Sequence, residues 1–179
     1  VVQGDTTTAF AAALAAFYRK AKVAHVEAGL RTGNIFSPWP EEMNRKLVGQ
    51  LTTLHFPPTP AAADNLRREG VSEGSICTTG NTVIDALQWV VKRLEGDAAF
   101  AGSTEATLPK PQAGRRLVLV TGHRRENFDG GLARVCTALK QIAQRGDVES
   151  IYPGHLNPEV QKTANASLND DPAIRLIAP

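Results

Sequence analysis

The sequence predicts an alternating α/β protein built on parallel sheets. Short β-branched runs recur along the chain, among them KVAHVEA (22–28), RRLVLVTG (115–122) and AIRLIA (173–178). Between them lie stretches whose apolar residues repeat at helical spacing, with Gly and Pro at the junctions. Strand–helix alternation requires crossover connections, hence parallel pairing, with ligands gathered beyond the carboxyl ends of the strands.

The elements follow in order. Val1 to Gln3 reads as the end of a strand, TTTAFAAALAAFYRKA (6–21) as a helix, and KVAHVEA as the next strand. A helix opened by Pro40 runs through PEEMNRKLVGQLTTL, since Pro is preorganised for a first helical turn. The strand LHFPPT (54–59), a helix over 61–68 and the strand SICTTG (75–80) follow. Val83, Ile84, Leu87, Val90, Val91 and Leu94 then mark a longer helix that Gly96 stops. Residues 96–114, rich in Gly, Ser, Thr and Pro, predict a loop. RRLVLVTG is a buried strand, and GLARVCTALKQIAQRG a helix with Leu132, Val135, Cys136, Leu139 and Ile142 on one face. ESIYPG is a strand, a short helix spans 159–166, and AIRLIA closes the pattern.

Composition excludes several classes. The 179 residues are 42% hydrophobic, enough for a buried core, and 20 Lys+Arg against 18 Asp+Glu leave a net charge of +2. That balance gives no global field for nucleic acid. No apolar run approaches the roughly 20 residues that cross a bilayer, and no signal-like segment opens the chain, so a cytoplasmic protein is expected. Cys77 and Cys136 fit two small buried side chains better than a disulfide or a metal site. The chain opens on VVQGD without an initiator Met and ends on AIRLIAP, so it reads as a piece of a longer protein.

Asp5, Glu27, His123 and His155 each fall one to four residues after a predicted strand, at the edges where ligands bind. Asp5 suits a cap for the following helix as well as it suits chemistry. Glu27 has no helix to cap, which favours function over an ion pair with Arg31. Glu41 and Glu42 occupy a first helical turn, where the dipole welcomes acids whatever their role. Glu42 is assigned to that bland role, as an exposed acid. His25 and His55 lie within apolar strands and read as core histidines. TGHRRENFDGG (121–131) sets an imidazole and two guanidiniums between a strand end and a helix start, an arrangement suited to a diphosphate. The alternative there is a surface Arg pair neutralised by Glu126. No GxGxxG or GxxxxGK[ST] loop and no metal-ligand spacing occurs. The chemistry indicated is acid–base work by carboxylates beside a phosphate site, with no cofactor or metal.

Five motifs in this order and at these intervals, GDTTT (4–8), HVEAGLRTGNIFSPWPEEMNR (25–45), TGNTVIDAL (79–87), VTGHRREN (120–127) and YPGHLNP (152–158), resemble the UDP-N-acetylglucosamine 2-epimerase family. These bacterial enzymes interconvert UDP-GlcNAc and UDP-ManNAc. The resemblance implies a glycosyltransferase-B-like architecture of two Rossmann-like domains about a cleft, with residues 1–80 in the first and 81–179 in the UDP-binding second. The family's Arg-Pro-Glu and Ser-Gly-Gly motifs are absent, which places the chain in the middle of such an enzyme. Gly154 stands where the family has an aliphatic residue, and RGDVES is slightly short.

By resemblance the catalytic residues are Asp5, Glu27, Glu41 and His123. Substrate contacts are implied for His123, Arg124, Arg125, Arg31, Arg45 and His155. Mutual repulsion among three carboxylates would raise at least one pKa, and Pro38, Trp39 and Pro40 would stiffen the loop that folds Glu41 toward Glu27. UDP would leave by elimination, giving a 2-acetamidoglucal, and return to the opposite C2 configuration. SPWPEEMNR and GHRREN look most like the bacterial non-hydrolysing form, and a homodimer is expected of the complete chain. A hydrolysing epimerase, a glycosyltransferase of the same fold and a non-catalytic nucleotide-sugar-binding module stand as alternatives.

Overall fold

Two units, Val1–Ser103 and Thr104–Pro179, each form around a three-stranded parallel sheet. The computed structural model describes residues 1–122, 130–154 and 157–178.

In the first unit, β1 (Val2–Gln3), β2 (Ala24–Val26) and β3 (Leu54–Phe56) lie in sequence order. They are joined through α1 (Thr7–Tyr18) and α2 (Glu41–Leu51). Thr6 caps α1 by accepting the Ala9 N–H, and Thr59 caps α3 (Pro60–Arg68) in the same way through Ala62. Ala13, Val23 and Val48 form the core, with Val2, Phe10 and Leu51 against them. Ala at the α1 contact positions lets that helix lie close to the sheet.

The second unit repeats the plan with β4 (Arg116–Leu119), β5 (Val148–Pro153) and β6 (Ile174–Ile177), again in sequence order. α6 (Gly131–Ala143) and α7 (Pro158–Leu168) pack on each other over a core that includes Leu132, Cys136, Leu139, Tyr152, Val160 and Leu168. The Tyr152 hydroxyl donates to the Gly122 carbonyl at 2.8 Å and so pins the chain just before His123.

Several expectations need correction, the first being that β4, expected to be a buried strand, has Leu117 and Leu119 exposed. Residues 75–80 do not form a strand: Ile76 makes an isolated bridge to His55, and Cys77, expected to be buried, is exposed there. Part of the predicted 96–114 loop is helical, because Asp97 caps the Ala-rich segment that becomes α5 (Ala98–Glu105) by accepting the Phe100 N–H at 2.9 Å. On α6, Val135 and Ile142 are exposed and Ala143 takes the buried place. The apolar residues of α4 (Thr82–Gly96) have their expected spacing, yet Val83, Ile84, Leu87, Val90 and Val91 are exposed.

The loop after β2 turns on Gly29, whose φ of +80° favours glycine and where a Cβ would sit 2.2 Å from the Ala62 carbonyl oxygen. Gly33 has a similar φ of +81° but nothing within 4 Å of a Cβ. Gly29→Ala should therefore cost roughly 2 to 5 kcal/mol, combining a left-handed penalty with an overpacked contact. Gly33→Ala should cost only about 1 to 2. Chemical denaturation of the complete protein compares them, and equal losses would contradict the close packing of the loop on α3.

Candidate active site

The site is built where β1 and β2 end. Their register pairs Gln3 with Val26, so Asp5 and Glu27, 22 positions apart, emerge side by side at the carboxyl edge of the sheet. Glu27 itself adopts φ +65°, a left-handed conformation that costs a non-glycine residue about 1 kcal/mol or more. The turn directs its carboxylate over Gly4: Glu27 Oε2 lies 3.3 Å from where a Gly4 Cβ would be. Gly4 has φ +72° and leaves that space open.

Arg45, from α2, joins the two acids. Its Nη2 lies 2.6 Å from Asp5 Oδ2 and 3.9 Å from Glu27 Oε2, and the side chain is only 11% exposed. At these distances one guanidinium offsets much of the repulsion between two carboxylates held together. Among the described residues its buried Nε has no hydrogen-bond partner. Asn44, beside it, donates to the Asp5 backbone carbonyl at 2.9 Å. Glu41 is the first residue of α2, one turn before Arg45 and on the same face. Its carboxylate makes no hydrogen bond or ion pair among the described residues and is partly exposed.

The neighbouring acid departs from expectation. Glu42 is 1% exposed, and its carboxylate accepts the Thr32 N–H at 3.1 Å and the Gly33 N–H at 3.2 Å. It is a buried ligand of the loop and no exposed dipole partner. The first two turns of α2 thus invert the usual pattern, with Glu42 and Asn44 buried while Met43 and Leu47 are exposed. The sequence gives no sign of that inversion, because an acid in a first helical turn already has a local reason to be there.

Arg31 points elsewhere. Its Nε and Nη2 donate to the two Glu69 oxygens at 2.8 and 2.7 Å, tying the loop to the end of α3 and holding the Glu69 carboxyl below its usual range. The alternative pairing of Glu27 with Arg31 is therefore not the one formed. His123, Arg124, Arg125 and His155 lie outside the described residues.

His25 and His55 are buried neighbours on β2 and β3, as core histidines should be. His25 Nε2 lies 2.8 Å from the Gly4 carbonyl oxygen; with the proton on Nε2 the ring donates and fixes the backbone just before Asp5. Burial pushes its pKa from 6.5 down to about 4 and lowers that of His55 as well. Among the described residues no cluster of three or more His, Cys, Asp or Glu is placed to hold a metal, and no helix is long and apolar enough to cross a membrane.

Parallel sheets joined by helical crossovers define an α/β protein, with its paired acids at the edge where such folds hold ligands. A family model described as UDP-N-acetylglucosamine 2-epimerase matches residues 1–179, and the chain belongs to that family. It is 49% identical over its whole length to a probable UDP-N-acetylglucosamine 2-epimerase of Ralstonia solanacearum, and 47% to the UDP-N-acetylglucosamine 2-epimerase of Escherichia coli (strain K12). It covers 48% of each, so the chain spans about half the length of these relatives. Among solved structures, UDP-GlcNAc 2-epimerase from Neisseria meningitidis bound to UDP-GlcNAc superposes with a TM-score of 0.94 at 41% identity, over 99% of this chain and 48% of that one. The Methanocaldococcus jannaschii enzyme in complex with UDP-GlcNAc and UDP gives a TM-score of 0.80 at 33% identity, over 99% of this chain and 48% of that one. The fold is accordingly glycosyltransferase-B-like, with the described sheets and helices as part of it.

The buried histidines make a test of the local packing. An imidazole whose folded pKa is depressed binds fewer protons in the native than in the unfolded state, so stability falls as pH falls from about 6.5 to about 4 and levels off below. The loss assigned to His25 is roughly 3 kcal/mol. His25→Gln, which keeps a donor for Gly4, should flatten the stability of the complete protein across that window. An unchanged slope would place the acid sensitivity elsewhere.

Proposed function

We propose that the complete protein interconverts UDP-GlcNAc and UDP-ManNAc by elimination and re-addition of UDP at the sugar. The observation that carries this reading is the convergence of Asp5 and Glu27 on Arg45 beyond the ends of β1 and β2. Family membership and the relatives whose structures hold UDP-GlcNAc or UDP support it.

The C2 proton is not acidic, so a base must meet it as the anomeric C–O bond breaks. A carboxylate of the set takes that proton, the C1–O bond electrons leave with UDP, and C1=C2 forms in a 2-acetamidoglucal. Re-addition returns UDP to C1 and a proton to the opposite face of C2. Asp5, Glu27 and Glu41 form the acid–base set. Arg45 holds Asp5 and Glu27 in place and, with His155, belongs to the substrate-binding set. His123, Arg124 and Arg125 bind the diphosphate and help it leave.

The reading extends to two Rossmann-like domains, with residues 1–80 the C-terminal part of the first and 81–179 the N-terminal part of the second, a cytoplasmic homodimer, and a product used in cell-surface polysaccharide synthesis. The motifs SPWPEEMNR and GHRREN favour the non-hydrolysing reaction over release of free ManNAc.

In D2O the complete protein should place deuterium at C2 of both sugars, because elimination removes that hydrogen. Asp5→Asn, Glu27→Gln and Glu41→Gln should each slow exchange about a hundredfold or more. Transfer of the sugar to an added acceptor with C2 still protiated would favour the glycosyltransferase alternative. UDP-GlcNAc binding without turnover would favour a binding module.

His123→Ala should weaken UDP binding as well as turnover. One charge-assisted hydrogen bond is worth about 1.5 to 3 kcal/mol, or roughly ten- to a hundredfold in affinity. Calorimetry showing unchanged UDP affinity would remove His123 from the diphosphate site.

A further inference from the structure

Glu41 and Glu42 are adjacent in sequence and opposite in environment. Glu41 is partly exposed at the start of α2, whereas the Glu42 side chain is buried and bonded to two consecutive backbone N–H groups, those of Thr32 and Gly33. These bonds reach back ten and nine residues, into the segment that connects Glu27 to Glu41. Burying a carboxylate is unfavourable unless each oxygen is satisfied, and here the loop backbone satisfies both. Gly33, with φ +81°, turns the chain so that its N–H and that of Thr32 face the same carboxylate.

Residues 28–31 are held separately, by Gly29 packing on Ala62, by the Asn65 side chain donating to the Gly29 carbonyl and by the Arg31–Glu69 pair, but beyond Gly33 the loop has little apolar packing. Phe36 and Trp39 are 73% and 63% exposed, and the internal bonds join only near neighbours, such as Ser37 N–H to Asn34 O and Phe36 N–H to Asn34 Oδ1. One turn further on, Asn44 and Arg45 fasten the same helix to Asp5. The N-terminal part of α2 therefore anchors the connecting loop through Glu42 and the strand-end acid through Arg45.

We propose that Glu42 is a positioning residue for the reaction: by clamping Thr32 and Gly33 it sets the path of the 27–41 connection, and so the placement of Glu41 relative to Glu27. This rests on the epimerase reading of the site. It assigns Glu42 a part in turnover without contact to substrate, so the step that suffers is proton transfer and not binding.

The test uses the complete protein. Glu42→Gln keeps shape and one acceptor oxygen but turns an amide NH2 toward a backbone N–H. It should lower kcat for C2 exchange by about tenfold or more, with KM for UDP-GlcNAc and affinity for UDP changed by less than about threefold. Gly33→Ala disturbs the same clamp from the exposed side with Glu42 intact, and should give the same split in milder form. If Glu42→Gln fails to fold, Gly33→Ala decides alone. Either variant folded with kcat within about twofold of wild type would overturn the proposal. So would kcat and UDP affinity falling together, which marks general structural damage. Wild type without C2 exchange would sink the epimerase reading itself, a result distinct from an active wild type with indifferent variants.

Discussion

One guanidinium group organises the described part of the site. Two carboxylates delivered by adjacent parallel strands repel each other, and without a counter-charge the β1 and β2 ends would splay or exchange the acids for solvent. Arg45 Nη2, at 2.6 Å from Asp5 and 3.9 Å from Glu27, removes that obstacle. A largely buried ion pair of this kind adds little net stability, because desolvation offsets the attraction. Its consequence is geometric: two acids share one small volume.

The constraint propagates outward. For the acids to meet, Gly4 must lack a side chain beneath Glu27 Oε2, Glu27 must accept a left-handed φ, and the Gly4 carbonyl must be fixed, which His25 does from inside the sheet. For Arg45 to meet them, α2 must be held in rotation. Asn44 does this against β1, and Glu42 does it against the loop. Buried polar groups that would each be unfavourable alone are satisfied by one another or by the backbone, with Arg45 Nε and His25 Nδ1 the exceptions here among the described residues.

The sequence makes the strand ends readable because a β-branched run stops abruptly, and the register of parallel strands then determines which polar residues become neighbours. Asp5 and Glu27 could be found that way without any geometry. Glu42 could not, since an acid in a first helical turn has an adequate local reason to be there. Only the long-range bonds to Thr32 and Gly33 reveal a second one. Arg31 misleads for the opposite reason: its proximity in sequence to Glu27 suggests a pair, but Glu69, 38 positions away, takes both ends of its fork. The SICTTG segment has strand composition and makes a single bridge, because the β propensity of a short run yields to its neighbours.

The central claim, that Arg45 and Asp5 act as one unit, is tested most directly by a double-mutant cycle on C2 exchange in the complete protein. Arg45→Gln, Asp5→Asn and the double variant would be compared with wild type. Groups acting independently would multiply their losses, so two singles near a hundredfold would give a double near ten-thousandfold. Groups acting as a unit leave the double within about tenfold of the worse single, which is the result expected here. Losses that multiply fully would contradict the account and reduce the 2.6 Å contact to a structural ion pair.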